Sequence, residues 1–317
     1  MNYRNVLHRI VVLAAMSLCS IAAHAGVFRA YISSTGNDAN ACTLQAPCRL
    51  LSAALAAVND GGEIWMLDSA NYNTATVNIA KSVSILAVPG AVGSVLAING
   101  PAISITTDNI AVALRNLVIV PLPGGGGTNG VEMVAASKLT IEGSLIANHG
   151  SLGVFASGTG KLEIANTIIR NNTLHAVEIE NGMTADIAST KMLYNGWYGV
   201  RVFTTSAVNT KATVSDSVIA GNFNASGGVS CNLGYGASGT ASIFVTRSTI
   251  HNAYAALVAD IGFGTGSTLI TVSDSMIANN NNAWYQSGGG SVIRSMGNNH
   301  IADNFGSVGT LTTNLLQ

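Results

Sequence analysis

The sequence predicts an all-β chain wound into a solenoid, a parallel β-helix in which short strands stack coil on coil. Three observations carry this expectation. First, a pair of apolar residues five apart recurs as Leu114/Ile119, Ile141/Ile146, Ile164/Ile169, Ile187/Met192, Val214/Ile219, Val245/Ile250 and Val272/Ile277, at intervals of 23 to 31 residues. Periods of that size mark stacked repeats. Second, each interval adds a third apolar strand, as in Gly153-Val154-Phe155-Ala156, Ala176-Val177-Glu178-Ile179, Gly199-Val200-Arg201-Val202 and Gly228-Val229-Ser230-Cys231. Third, 48% of residues are hydrophobic and only 9% charged, and beyond the N-terminus the apolar residues form short Val/Ile/Ala runs between Gly, Asn, Ser and Thr. That pattern builds a core and argues against disorder.

Taken in order, residues 1–25 read as a secretory signal peptide. Arg4, His8 and Arg9 precede an apolar stretch over 10–18, and Ala23-His24-Ala25 places cleavage before Gly26. The apolar run is shorter than the ~20 residues that span a bilayer, and bulky Leu18 before Cys19 argues against a lipid anchor. The expectation is an exported chain, periplasmic or extracellular, with no membrane span after signal removal. Residues 26–61 read as an N-terminal cap. Cys42 and Cys48 lie close together in a polar loop, which in an exported protein favours a local disulfide. Residues 47–58 read as a short capping helix with Leu51, Leu55 and Val58 on one face, ended by Gly61-Gly62. Such a cap covers the apolar end that a solenoid leaves open.

Residues 62–317 read as the solenoid. Residues five apart in a continuous strand point to opposite faces, so both members of each apolar pair reach the core only if the backbone turns between them. The position two after each first member is Asn116, Gly143, Asn166, Ser189, Asp216, Arg247 or Asp274, mostly types suited to tight or left-handed turns; Arg247 is the exception. The next position, Leu117, Ser144, Thr167, Thr190, Ser217, Ser248 and Ser275, is expected to face inward and stack coil on coil as a hydroxyl ladder. A second turn column reads Asn148, Asn171, Tyr194, Gly221, Asn252 and Asn279. Cys231 takes the place of Ile179 and Val202 in neighbouring repeats, which predicts a buried thiol. The glycines at 124–127 read as a loop, and residues 311–317 as a last strand or a loose cap.

The segments Leu139-Thr140-Ile141-Glu142-Gly143-Ser144-Leu145-Ile146-Ala147-Asn148-His149 and Ala212-Thr213-Val214-Ser215-Asp216-Ser217-Val218-Ile219-Ala220-Gly221-Asn222 resemble coils of the right-handed parallel β-helix proteins of the pectin-lyase-like superfamily. The resemblance covers residues 62–304. It implies a right-handed winding of about ten coils and an outward face on the third strand where enzymes of that superfamily place catalytic and calcium-binding residues. The Trp-x-Asp-His motif of pectate lyases and the Gly-His-Gly of polygalacturonases do not occur; Asn148-His149-Gly150 belongs to a turn.

If Val154, Val177, Val200 and Val229 point inward, the residues after them point out, as the row Glu132, Phe155, Glu178, Arg201, Ser230, Val258 and Tyr285. Two further on lie Val134, Ser157, Glu180, Phe203, Asn232, Asp260 and Ser287. Coils are ~4.8 Å apart, which brings Glu178 to Arg201. Acids, one Arg and aromatic rings in rows suit an extended polysaccharide, with Glu132, Phe155, Glu178, Glu180, Arg201, Phe203, Asp260 and Tyr285 as candidate ligand-binding residues. Three functions follow: a non-catalytic polysaccharide binder, a polysaccharide lyase or glycoside hydrolase with Arg201 as the candidate base or charge-neutraliser, and a purely structural solenoid. Calcium on the carboxylates is conceivable, yet the acids are not densely clustered, and no cofactor is expected. His149, His175, His251 and His300 lack partners at zinc spacing, and the glycine runs do not open helices as phosphate cradles do. A net charge of -1 excludes the basic stripe of a nucleic-acid binder.

Overall fold

The computed structural model describes residues 26–222 and 227–314; the signal-peptide reading lies outside them. Each coil contributes one strand to each of three parallel sheets. The first sheet has twelve strands, running from Val27–Ile32 and Val58–Met66 through Lys138–Glu142 and Thr184–Ala188 to Leu311–Thr313. The second and third have ten strands each, exemplified by Ile168–Arg170 and Val177–Glu180. Neighbouring coils are in register: Ile164 pairs with Ile187 and Ile187 with Val214.

The bend inferred between apolar pairs is present at every site. Asn116, Asn166, Ser189, Asp216, Arg247 and Asp274 take φ from 46° to 56°, and Gly143 takes 60°. Both members of each pair can therefore enter the core, and Ile164, Ile169, Ile187 and Met192 are all buried. Arg247, the least suited type, adopts φ 46° like its column mates, and its guanidinium meets Asp216 one coil below through Nε–Oδ1 and Nη2–Oδ2 contacts of 2.8 Å. The second turn column is also left-handed, with φ of 66°, 56°, 54°, 52° and 56° at Asn148, Asn171, Tyr194, Asn252 and Asn279.

Two polar ladders thread the apolar core. In the first, the Ser217 hydroxyl accepts from the backbone N–H of Thr190 at 3.1 Å and donates to the carbonyl of Ser215 at 2.7 Å. Ser144, Ser248 and Ser275 repeat the arrangement. In the second, Asn195 Oδ1 accepts from the N–H of Asn172 at 3.2 Å, and Asn222 Oδ1 from that of Asn195 at 2.7 Å. Asn280 and Asn304 continue it. Both ladders satisfy backbone N–H groups that the turns leave unpaired inside the core.

The helix is shorter than the sequence predicts, Leu51–Ala57. Asp38 Oδ1 holds the N–H groups of both Arg49 and Leu50 at 2.8 Å, which keeps that stretch extended until Leu51. At the other end, Val58 leads straight into a strand rather than waiting for the glycines. Leu51, Ala54 and Leu55 are buried and close the N-terminal end. A strand over Val27–Ile32, ahead of the helix, pairs with Val58–Met66. Cys42 and Cys48 are joined as a disulfide, and Cys231 is a buried free thiol.

Candidate functional site

The third sheet presents its outward rows in the predicted register. Glu132 pairs with Phe155, Phe155 with Glu178, Glu178 with Arg201, Arg201 with Ser230, Ser230 with Val258 and Val258 with Tyr285. The second row, from Val134 through Ser157, Glu180, Phe203, Asn232 and Asp260 to Ser287, is aligned in the same way.

The centre of this face is Arg201. Its Nη1 donates to Glu178 Oε1 at 2.5 Å, its Nε donates to Asn232 Oδ1 at 3.4 Å, and its guanidinium carbon lies 4.1 Å from the centroid of the Phe203 ring. Glu178 is nearly buried, at 7% exposure. Burial pushes its carboxyl upward in pKa, and Arg201 works against that shift. Glu180, two residues along the same strand and on the same side, is raised to about 7 by burial and by the neighbouring Glu178 charge, again opposed by Arg201. Its Oε2 accepts from Asn181 Nδ2 at 3.3 Å. Two carboxylates and one guanidinium thus share a partly desolvated spot, a setting in which ionisable groups acquire unusual proton affinities.

The structure does not join the candidates into one unbroken stripe. Ser230 is fully buried and Val258 is 6% exposed although both point outward in register, so the first row closes over between Arg201 and Tyr285, while Asn232 and Asp260 of the second row stay partly exposed. Phe155, Glu178, Glu180, Arg201 and Phe203 occupy three adjacent coils. Tyr285 stands three coils beyond Arg201. Glu132 accepts from Asn129 Nδ2 at 2.9 Å, and Asp260 accepts from the N–H of Gly262 at 2.9 Å and so caps a turn.

An aromatic rim stands beside the cluster. Trp197 and Tyr198 sit in the turn that enters the strand carrying Arg201. The His175 ring is stacked on Tyr198 at 5.4 Å and meets Trp197 edge-on at 5.7 Å. Its Nδ1 accepts from the N–H of Tyr198 at 3.1 Å, and burial, helped by Arg201, lowers its pKa to about 3. His175 is therefore a neutral packing partner that fixes the rim, with Trp197 left half-exposed. Beyond the strand ends, Tyr235 and Phe263 are 90% and 82% exposed with ring centroids 6.2 Å apart. Among these rim residues, Trp197 and Tyr198 left a trace in the sequence, as an aromatic pair between glycines in Gly196-Trp197-Tyr198-Gly199.

Two hollows lie elsewhere, on the outer face of the first sheet. One of about 670 Å³ is lined by Ser82, Asn109, Lys138, Lys161 and Thr184, among others, and one of about 330 Å³ by Asp186, Lys211, Phe244 and Leu269. They follow from the shape of a sheet assembled from many coils, which no single strand encodes. Several of their charges are paired: Lys138 and Lys161 each lie 2.9 Å from Glu163, and Lys161 lies 3.3 Å from Asp186. Among the described residues no group of three or more His, Cys, Asp or Glu side chains is placed to hold a metal ion, and no helix is long and apolar enough to cross a membrane.

A family model described as a right handed beta helix region matches residues 94–240. The chain has the pectin-lyase-like fold. Similar solved structures include the pectate lyase Pel9A, with a TM-score of 0.58 and 16% identity over 90% of this chain and 77% of that one. A GH136 lacto-N-biosidase from Eubacterium ramulus gives 0.50 and 10% over 91% and 68%. An alginate lyase from Paenibacillus sp. str. FPU-7 gives 0.50 and 11% over 84% and 99%. No curated protein matches the sequence. Identities this low establish a shared fold and leave activity to the site itself.

Proposed function

We propose that this is an exported protein, periplasmic or extracellular, that binds an extended polysaccharide on the outward face of the third sheet, centred on the three coils of Phe155, Glu178 and Arg201. One observation carries the reading. On this face the partly exposed rings of Phe155 and Phe203 adjoin hydrogen-bonding groups on Glu178, Glu180, Arg201 and Asn232, and Trp197 stands half-exposed in the turn that enters the Arg201 strand. Sugar rings offer the matching surface, apolar faces edged by hydroxyls, and mixed apolar and convergent polar linings are what small-ligand sites use. The neighbours named as acting on polysaccharides, the pectate and alginate lyases, support a glycan as the partner class. The disulfide in the cap fits an oxidising compartment.

The test is calorimetric titration of the folded protein against a panel of oligosaccharides, repeated with Phe155→Ala and Trp197→Ala. Removing either ring is expected to weaken binding by about tenfold, the scale of a lost aromatic anchor. Tyr285→Ala, beyond the closed stretch, is expected to change it less. Wild-type protein that binds no glycan at millimolar concentration would leave the structural solenoid as the better account.

A second reading is glycoside hydrolysis, favoured by Glu180 retaining its proton to about 7 beside Glu178. That is the state a general acid needs at neutral pH. Elimination with Arg201 as base fits less well, because its guanidinium is engaged with Glu178 at 2.5 Å. Release of reducing ends that disappears in Glu180→Gln would move the protein from binder to hydrolase.

A further inference from the structure

Resting on the polysaccharide-binding reading, we propose that the third-sheet site takes an uncharged glycan and rejects polyuronates. The inference comes from where charge sits. The two outward rows carry four carboxylates, Glu132, Glu178, Glu180 and Asp260, against the single cation Arg201. Most of that cation is already engaged within the site. Its Nη1 is committed to Glu178, its Nε points at Asn232, and one face of its guanidinium lies on Phe203. A uronate carboxylate arriving here would meet an excess of like charge in a partly desolvated setting, where repulsion is less screened than in bulk water.

No other basic residue stands in the two outward rows: Arg170 and Lys191 lie on the second sheet and Lys211 on the first. Arg29, Arg115 and Arg247 are paired with Glu63, Glu142 and Asp216, and Lys138 and Lys161 with Glu163 on the first sheet. A neutral sugar faces no such penalty. Its hydroxyls can donate to Glu178, Glu180 and the Asn232 carbonyl oxygen, and its ring can lie against Phe155 or Trp197. Specificity of this kind works by an unfavourable term against the wrong ligand as much as by attraction to the right one.

The experiment compares neutral oligosaccharides (cello-, xylo- and manno-series) with oligogalacturonate and oligomannuronate, at low and at 0.5 M NaCl, with and without calcium. The expected result is that wild type binds a neutral series with affinity nearly independent of salt and binds both uronates at least tenfold more weakly in every condition. The double substitution Glu178→Gln with Glu180→Gln frees Arg201 and removes both ionisable carboxyls beside it. Provided its far-ultraviolet spectrum and melting match wild type, it is expected to gain salt-sensitive uronate binding. Tight uronate binding by wild type that is lost in Arg201→Ala would overturn the inference while leaving a glycan site on this face. Absence of binding by either ligand class would overturn the underlying reading itself.

Discussion

At the scale of single residues, His149 shows how the core handles an exception. It occupies the position that Asn172, Asn195 and Asn280 hold in other coils. Its Nε2 lies 3.2 Å from the carbonyl of Ile119 in the coil below, where Asn280 Nδ2 reaches Ile250 at 3.2 Å. The ring thus substitutes for one amide donor, but its Nδ1 is buried without a partner, and burial lowers its pKa to about 4. Between pH 6.5 and 4 the unfolded chain binds a proton there that the folded chain refuses, so stability from this site is lost as pH falls. His149→Asn is expected to melt increasingly above wild type as pH drops from 7 to 4.5, the gap growing by on the order of 2 kcal/mol. Parallel pH profiles for the two proteins would contradict the assignment. The sequence placed His149 in a turn but gave no sign of its partner, because the carbonyl it meets lies one coil away and belongs to no local motif.

Elements were legible in proportion to how often the sequence repeats them. The left-handed turn column, the hydroxyl ladder and the third-strand register each appear in several copies, so periodicity fixed them. The helix start was not repeated, and its delay to Leu51 depends on Asp38 holding two N–H groups from a distant loop. The asparagine ladder is half-legible: the exposed turn column stands out in the sequence, while the buried Asn172, Asn195 and Asn222 one residue later do not, since inward amides differ from outward ones only in the folded coil. The hydroxyl ladder invites a direct test. Ser217→Ala leaves the buried Thr190 N–H without its acceptor and should cost about 1–2 kcal/mol. Ser217→Thr should restore most of it, because Thr167 makes both contacts in its own coil, accepting from the N–H of Ser144 and donating to the carbonyl of Ala165. Equal melting of the alanine and threonine variants would mean that the ladder contributes nothing to stability.

For the whole molecule, fold and site stand differently. The repeat determines the solenoid and aligns the rows of the third sheet, so Glu178 beside Arg201 could be read from spacing. The closure over Ser230 and Val258 could not, because it depends on how side chains and turns of several coils fill one surface. Nor could the orientation of the Trp197 and Tyr198 rim, which rests on an edge-on contact of Trp197 with His175 and on stacking of Tyr198 against the same ring. Both change the account from a stripe of seven coils to a three-coil centre with an aromatic border. The most direct measurement is a crystal structure of the protein with the tightest-binding oligosaccharide of the panel. It should show sugar rings against Phe155 and Trp197 with hydroxyls in hydrogen-bonding reach of Glu178, Glu180 and Asn232. Sugar density confined to the first-sheet hollow over Lys138 and Lys161, with the third sheet bare, would contradict the account.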